Sequence, residues 1–334
     1  MRKERSLSID PLELKIEITR ACNLRCSFCY LGKGQEWLAN RHMPVGDVLR
    51  WIDWCVDNDI PGVRFTGGEA TMHPDIEMLC NYAHLQKRYV ILNTNGMADP
   101  RLYDRLLVND MRVSVPTLDA KRMDDLTGRI GVFQKKVSLL DRMAARKSVR
   151  VHMLTPLAPE LVGNLEEFVL FLRERPRLKW LPLRLESSPD EPRPITRGQM
   201  QSLAEEMDDL MRRYPEQVPG IVLAVPFCSV TPTSLGARVF MGKKVCCGPY
   251  VALNVDFDGV MTTCFDRYQI NEIGSMEAVR NSPELRPCRT LESLPAECHA
   301  CEYVEQCAGG CTRPEGLVEH NGGRVDYLAG FVAG

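Results

Sequence analysis

The chain has 334 residues, 44% of them hydrophobic, with 42 basic side chains against 44 acidic ones. That is ample for a large core, and the near-balance of charge argues against a nucleic-acid footprint or a basic membrane-binding face. No apolar run is long enough to cross a bilayer, and Met1 to Asp10 has no apolar signal core, so the expectation is a soluble, cytoplasmic protein.

Glu13 to Ile18 alternates charged and apolar residues and predicts a strand. Pro44 opens a predicted helix with apolar residues at Val45, Val48, Leu49, Ile52 and Val56. Val63 to Thr66 predicts a strand ending at Gly67-Gly68, followed by a helix over 75–85. Tyr89 to Leu92 predicts a strand ending in Asn93-Thr94-Asn95-Gly96, and Met111 to Val115 another. A helix over 132–146, a strand over 149–154, a helix over 164–175 capped by Asn164, a strand over 180–185 and a helix over 197–213 complete the series. This alternation implies βαβ units and a parallel sheet. About six repeats suit an open, partial (β/α)6 barrel of α/β class, with reactive groups at the carboxyl ends of the strands. The first Cys-rich loop, Gly67-Gly68-Glu69 and Asn93 to Gly96 should then meet at one rim.

Past residue 220 the texture changes to short strands, frequent Gly and Pro, and dense cysteine. Leu253 to Thr263 predicts a hairpin turning at Asp258-Gly259. A boundary near 215–225 divides a core over 12–215 from a smaller unit over 225–320.

Fourteen cysteines are far more than a cytosolic chain needs for packing. Without a secretory context a disulfide framework is not expected, and metal binding is. Three lie at 22–29 and nine at 228–311, two neighbourhoods with a cysteine-free stretch between 81 and 227. Cys55 and Cys80 share helical faces with apolar residues and read as core. Cys22, Cys26 and Cys29 form C-x3-C-x2-C, a loop that lets three thiolates converge on an iron–sulfur cluster. Three ligands leave one iron of four open for chemistry, and a zinc site would more often supply four.

This triad, with Phe28 before its last cysteine and just after a first strand, resembles the radical S-adenosylmethionine (SAM) superfamily. Gly67-Gly68-Glu69 resembles that family's segment for the SAM ammonium. The resemblance implies a catalytic 4Fe–4S cluster held by Cys22, Cys26 and Cys29, reductive cleavage of SAM, and hydrogen abstraction from an unactivated carbon. It implies a reducing partner such as flavodoxin or ferredoxin. Asn93, Asn95 and Ser114 are further candidate SAM contacts, and Glu186 a candidate contact to SAM or substrate.

Cys298, Cys301, Cys307 and Cys311 form C-x2-C-x5-C-x3-C, and upstream lies Cys247-x11-Gly259-x4-Cys264. Together they resemble the SPASM extension, which houses auxiliary iron–sulfur clusters. The resemblance implies one cluster on Cys247, Cys264 and Cys311, completed by Cys228 or Cys246, and a second on Cys298, Cys301 and Cys307. The family carries one more cysteine after the quartet, and none follows Cys311 here. Cys288 or Asp326 are candidate substitutes; otherwise that cluster has an open iron or is missing. Cys246 and Cys228 are also candidate hydrogen-atom donors in an epimerisation, the alternative to net oxidation. Many peptide-modifying relatives carry an N-terminal recognition domain, for which strand one, starting near residue 13, leaves no room, although a maturase can work without it or borrow it in trans. The expectation is therefore a small natural product such as an aminoglycoside-like sugar, as in antibiotic biosynthesis, with maturation of a ribosomal peptide as the alternative.

Overall fold

The computed structural model describes residues 9–29, 41–185, 194–216, 226–229, 250–263, 268–310, 317–330 and 332. Six strands run in parallel and in sequential spatial order: β1 (Glu13–Thr19), β2 (Gly62–Gly67), β3 (Tyr89–Thr94), β4 (Asp110–Ser114), β5 (Arg150–Leu157) and β6 (Leu178–Arg184). Helices α1 (Val45–Asp57), α2 (Ile76–Leu85), α3 (Pro100–Arg105), α4 (Ala120–Thr127), α5 (Val132–Ala144), α6 (Glu166–Arg173) and α7 (Arg197–Arg213) follow or connect them. The partial barrel expected from the βαβ alternation is present and stays open.

The strand pleat explains the layering. Leu14, Ile16, Val63, Phe65, Val90, Leu92, Met111, Val113, Val151 and Met153 share the face under the helices and are buried. The alternate residues form the inner face and are largely polar. There Arg64 donates to Glu13, Arg112 Nε donates to Asp110 Oδ2 at 3.1 Å, and His152 Nδ1 lies 2.6 Å from Asp110 Oδ1. Burial opposes ionisation of Asp110, but His152 and Arg112 outweigh it and hold the carboxyl below its ordinary range.

Two expectations are corrected. Asn164 does not cap α6: its amide donates to the carbonyls of Glu160 and Val162, and the helix starts after Leu165. The predicted hairpin is not a self-contained unit. β7 (Ala252–Val255) pairs antiparallel with β8 (Met261–Thr262), but its other edge adds to β1 in parallel, giving an eight-stranded open sheet. Its turn spans Asp256 to Val260 because Asp256 Oδ1 accepts from the N–H groups of Asp258 and Val260. Helices α3 and α4 were not anticipated; each begins at an Asp whose carboxylate accepts from the first turn, Asp99 and Asp119. Thr196 and Gln199 close a capping box on α7.

The C-terminal region docks back on the barrel. Trp54 Nε1 donates to the Ile273 carbonyl at 2.6 Å, and Met276 N donates to Asn58 Oδ1 at 2.5 Å. A second hairpin, β9 (Leu317–His320) with β10 (Gly323–Asp326), ends at Asp326, which receives both Nη1 and Nη2 of Arg184 from the end of β6. Both partners are buried. Cys55 and Cys80 pack in the core as expected, and burial pushes both thiols up. No helix among the described residues is long and apolar enough to cross a membrane.

Asp326→Ala leaves the Arg184 charge buried without its partner and should cost about 3–5 kcal/mol. Limited proteolysis should then cut the C-terminal segment first. Arg184→Met with Asp326→Leu should recover much of that loss, and equal damage in the single and double variants would refute an ion-pair role.

Candidate active site

The three rim motifs converge through hydrogen bonds centred on Glu69. Its side chain is 2% exposed. Oε1 accepts from Thr71 N at 3.1 Å, Thr71 Oγ1 at 2.6 Å and Thr94 Oγ1 at 2.7 Å, and Oε2 accepts from Asn95 N at 2.6 Å. One carboxylate thus ties the end of β2 to the end of β3. Asn95 carries the link onward: Nδ2 donates to Asn23 Oδ1 at 2.7 Å and lies 3.9 Å from Cys22 Sγ.

Gly67 and Gly68 serve this convergence sterically. A Cβ on Gly67 would lie 2.2 Å from the Thr19 carbonyl, and one on Gly68 2.5 Å from the Ala21 carbonyl. Gly67 also has φ +136. The backbone uses the proximity: Gly68 N donates to Thr19 O and Glu69 N to Ala21 O, both at 2.8 Å. The diglycine therefore seats the cysteine loop directly on the β2 rim.

The far side of the loop is fixed by α4, with Arg25 N donating to Thr127 O and Ser27 N to Leu126 O, each at 2.9 Å. Leu24 anchors it in the core. Cys22, Cys26 and Cys29 lie within electrostatic reach of one another. Burial pushes the Cys22 thiol up and the Cys26 thiol to about 12, with neighbouring cysteines adding to both. Both shifts favour the thiol over the thiolate at Cys22 and Cys26. Among the described residues no three His, Cys, Asp or Glu side chains are already converged on a common metal position. The donor set nevertheless fits an iron–sulfur cluster: three cysteines in one short loop, hydrogen-bonded from Asn95.

A residue not anticipated from the sequence lies beneath this loop. Lys136 on α5 is 1% exposed and donates to the Ser114 carbonyl at the end of β4. Burial lowers its pKa to about 8, while Cys26, Glu69 and Cys22 hold it up. The signal was available: Lys136 falls on the apolar face of α5 with Val132, Leu139, Leu140 and Met143. Ser114 is thus engaged through its backbone. Asn93 sits on β3 with Oδ1 buried and without a hydrogen-bond partner among the described residues, an acceptor available to a bound polar group.

Glu186, Cys246, Cys247, Cys264 and Cys311 lie outside the described residues. Cys298, Cys301, Cys307 and Cys228 are described and fall in one neighbourhood. A cavity of 730 Å³ lies on the outer side of the rim, between α1 and the β7–β8 turn, lined by Arg41, His42, Trp51, Trp54 and Phe257. It does not include the cysteine loop.

Glu69→Gln would set an amide donor against one of the N–H or O–H groups the carboxylate now accepts. It should cost about 2 kcal/mol in denaturant unfolding, with Glu69→Ala costing more. Unchanged stability in both variants would refute the bridging role.

Comparison with known proteins agrees with this geometry. Residues 16–172 match the radical SAM superfamily. GTP 3',8-cyclase of Chlorobaculum tepidum is 30% identical over 42% of this chain, which spans only 44% of the cyclase. Mycofactocin maturase MftC of Mycobacterium ulcerans is 26% identical over 90% of this chain and 83% of its own. Among solved structures, SuiB of Streptococcus suis bound to S-adenosylmethionine superposes with TM-score 0.72 at 17% identity, over 96% of this chain and 77% of SuiB. The anSMEcpe structure with bound AdoMet and Kp18Cys peptide gives TM-score 0.67 at 17% identity, over 96% of this chain and 94% of its own. The matched region holds the cysteine loop, the diglycine and the Glu69 bridge that unites them, and over residues 16–172 the chain is similar to the radical SAM superfamily, whose members bind a 4Fe–4S cluster and S-adenosylmethionine.

Proposed function

We propose that the chain is a cytoplasmic maturase that modifies a ribosomally made peptide at an unactivated C–H bond. The supporting observation is the near-full-length likeness to mycofactocin maturase. The fold shared with anSMEcpe, solved with a peptide, and with SuiB, also solved bound to the precursor peptide SuiA, adds to it. A peptide replaces the aminoglycoside-like sugar as the preferred substrate, since the relative matched over most of the chain is a maturase and the two structural neighbours were solved with peptides.

In this reading residues 12–215 form the catalytic core, with Cys22, Cys26 and Cys29 as ligands of the catalytic cluster. A cluster held there, together with SAM, would supply the radical chemistry that breaks an unactivated C–H bond. Glu69 and Gly67-Gly68 hold the rim that receives the SAM amino acid moiety. Asn95 orients the Cys22 thiolate, and Asn93 offers its buried acceptor to the bound cofactor. Lys136 and the Ser114 carbonyl form a polar floor, with the ammonium offsetting the negative charge of three thiolates. A low-potential carrier such as flavodoxin or ferredoxin supplies the electron.

Residues 225–320 form the auxiliary unit, with Cys247, Cys264 and Cys311 around one cluster and Cys298, Cys301 and Cys307 around another. Clusters held there would supply an electron acceptor, which suits net oxidation to a crosslink or thioether. Epimerisation would instead require a donor thiol, a role open to Cys246.

Anaerobic reconstitution tests the reading. Wild type should hold roughly 12 irons per chain, and Cys22/Cys26/Cys29→Ala roughly 8, with no 5′-deoxyadenosine formed. Undiminished iron in the triple variant would sink the ligand assignment. A peptide assay then decides the substrate: 5′-deoxyadenosine formation should rise severalfold with a cognate precursor peptide, and stimulation by an aminoglycoside instead would overturn the maturase reading.

A further inference from the structure

The second C-terminal cluster has three cysteines by spacing and lacks the distal one. The polypeptide brings another thiol to that place. Cys228 lies in the short turn Phe227–Ser229, roughly seventy residues before Cys298. It packs against the segment after β10, where a cysteine following the quartet would fall. Gly330 N donates to Cys228 Sγ at 3.1 Å. A Cβ on Gly330 would lie 2.2 Å from the Cys228 carbonyl, so this approach requires glycine. On the other side of the turn, Pro226 meets the loop after Cys307: a Cβ on Gly310 would lie 2.5 Å from Pro226 Cγ.

The cysteines of the quartet are gathered by local structure. Cys298 sits in a one-turn helix (Ala296–Ala300), Cys301 N donates to the Cys298 carbonyl at 3.0 Å, and Cys307 ends the helix Val304–Cys307. Burial pushes the Cys298 thiol up to about 12, and Cys307, Cys228 and Cys301 all add to the shift. Cys228 likewise feels Cys301. The four thiols are one neighbourhood.

The other candidates are otherwise engaged, Asp326 while also facing Cys228. Both carboxylate oxygens of Asp326 receive the Arg184 guanidinium. Cys288 is buried in the short helix Arg286–Thr290, where its carbonyl accepts from Tyr250 Oη.

We propose that Cys228 is the fourth protein ligand of the iron–sulfur cluster on Cys298, Cys301 and Cys307, replacing the missing distal cysteine. The inference rests on the auxiliary-cluster reading above. It closes that cluster with four thiolates, which makes it an electron relay with no open iron for substrate, and it removes Cys228 from the hydrogen-atom donors.

The test uses the full chain in a Cys22/Cys26/Cys29→Ala background, reconstituted anaerobically, with iron, sulfide and zinc counted and EPR recorded in oxidised and reduced states. Cys298/Cys301/Cys307→Ala should remove about four irons per chain. Cys228→Ala should lose between about one and four irons, with the single-iron loss marked by the EPR signal of an oxidised three-iron cluster. Cys228→Ser, which can ligate through oxygen, should keep the iron with an altered reduced spectrum. Cys288→Ala should match its parent, and far-UV circular dichroism monitors folding. Iron and spectra unchanged in both Cys228 variants overturn the fourth-ligand assignment alone. Iron unchanged when the three quartet cysteines are removed overturns the auxiliary cluster itself, and zinc in its place does the same.

Discussion

The buried carboxylate of Glu69 is the constraint on which the rest of the site depends. An ionised group with almost no solvent exposure is tolerable only when hydrogen bonds replace its water. Here the replacements come from the end of β3 and from its own turn after β2. Satisfying the charge therefore fixes where β2 and β3 stop relative to one another. Because Asn95 is part of that arrangement and also reaches Asn23 and Cys22, the position of the cysteine loop follows. The diglycine is the steric condition for the same contact, since a side chain on either residue would drive the loop off the rim.

Charge balance inside the barrel follows the same logic. Toward the strand starts, Glu13, Arg64, Asp110, Arg112 and His152 pair across neighbouring strands, so the polar inner face closes on itself. Toward the strand ends the one buried ammonium among the described side chains of the rim, Lys136, faces a carboxylate and two cysteines. Anionic thiolates would be costly in a low-dielectric pocket without a nearby cation. The two ends of the barrel thus differ: at one, charged groups pair across strands, and at the other a buried ammonium faces a carboxylate and cysteines.

The C-terminal region is bound to the barrel more closely than its distinct composition suggests. β7 extends the main sheet beside β1, and the Arg184–Asp326 pair joins β10 to the end of β6. Contacts at both edges of the parallel sheet hold a cysteine-rich segment against an open barrel.

Much of this was legible in the sequence. Strand and helix alternation determined the open barrel, because period-2 and period-3.6 patterns are local properties of the chain. The cysteine spacings marked two cysteine-rich neighbourhoods, because the gathering of thiols in a short loop is also local. Lys136 was legible in principle, as a charge on an apolar helical face. Only the tertiary structure decided that Asn164 bonds carbonyls and does not cap α6, and that β7 pairs with β1. It alone decided that Glu69 spans two rims and that Cys228 stands beside cysteines some seventy residues away. Apart from the Asn164 bonds, which are local, each of these is a contact between segments distant in sequence, chosen by burial and hydrogen-bond satisfaction, and no local pattern carries that information.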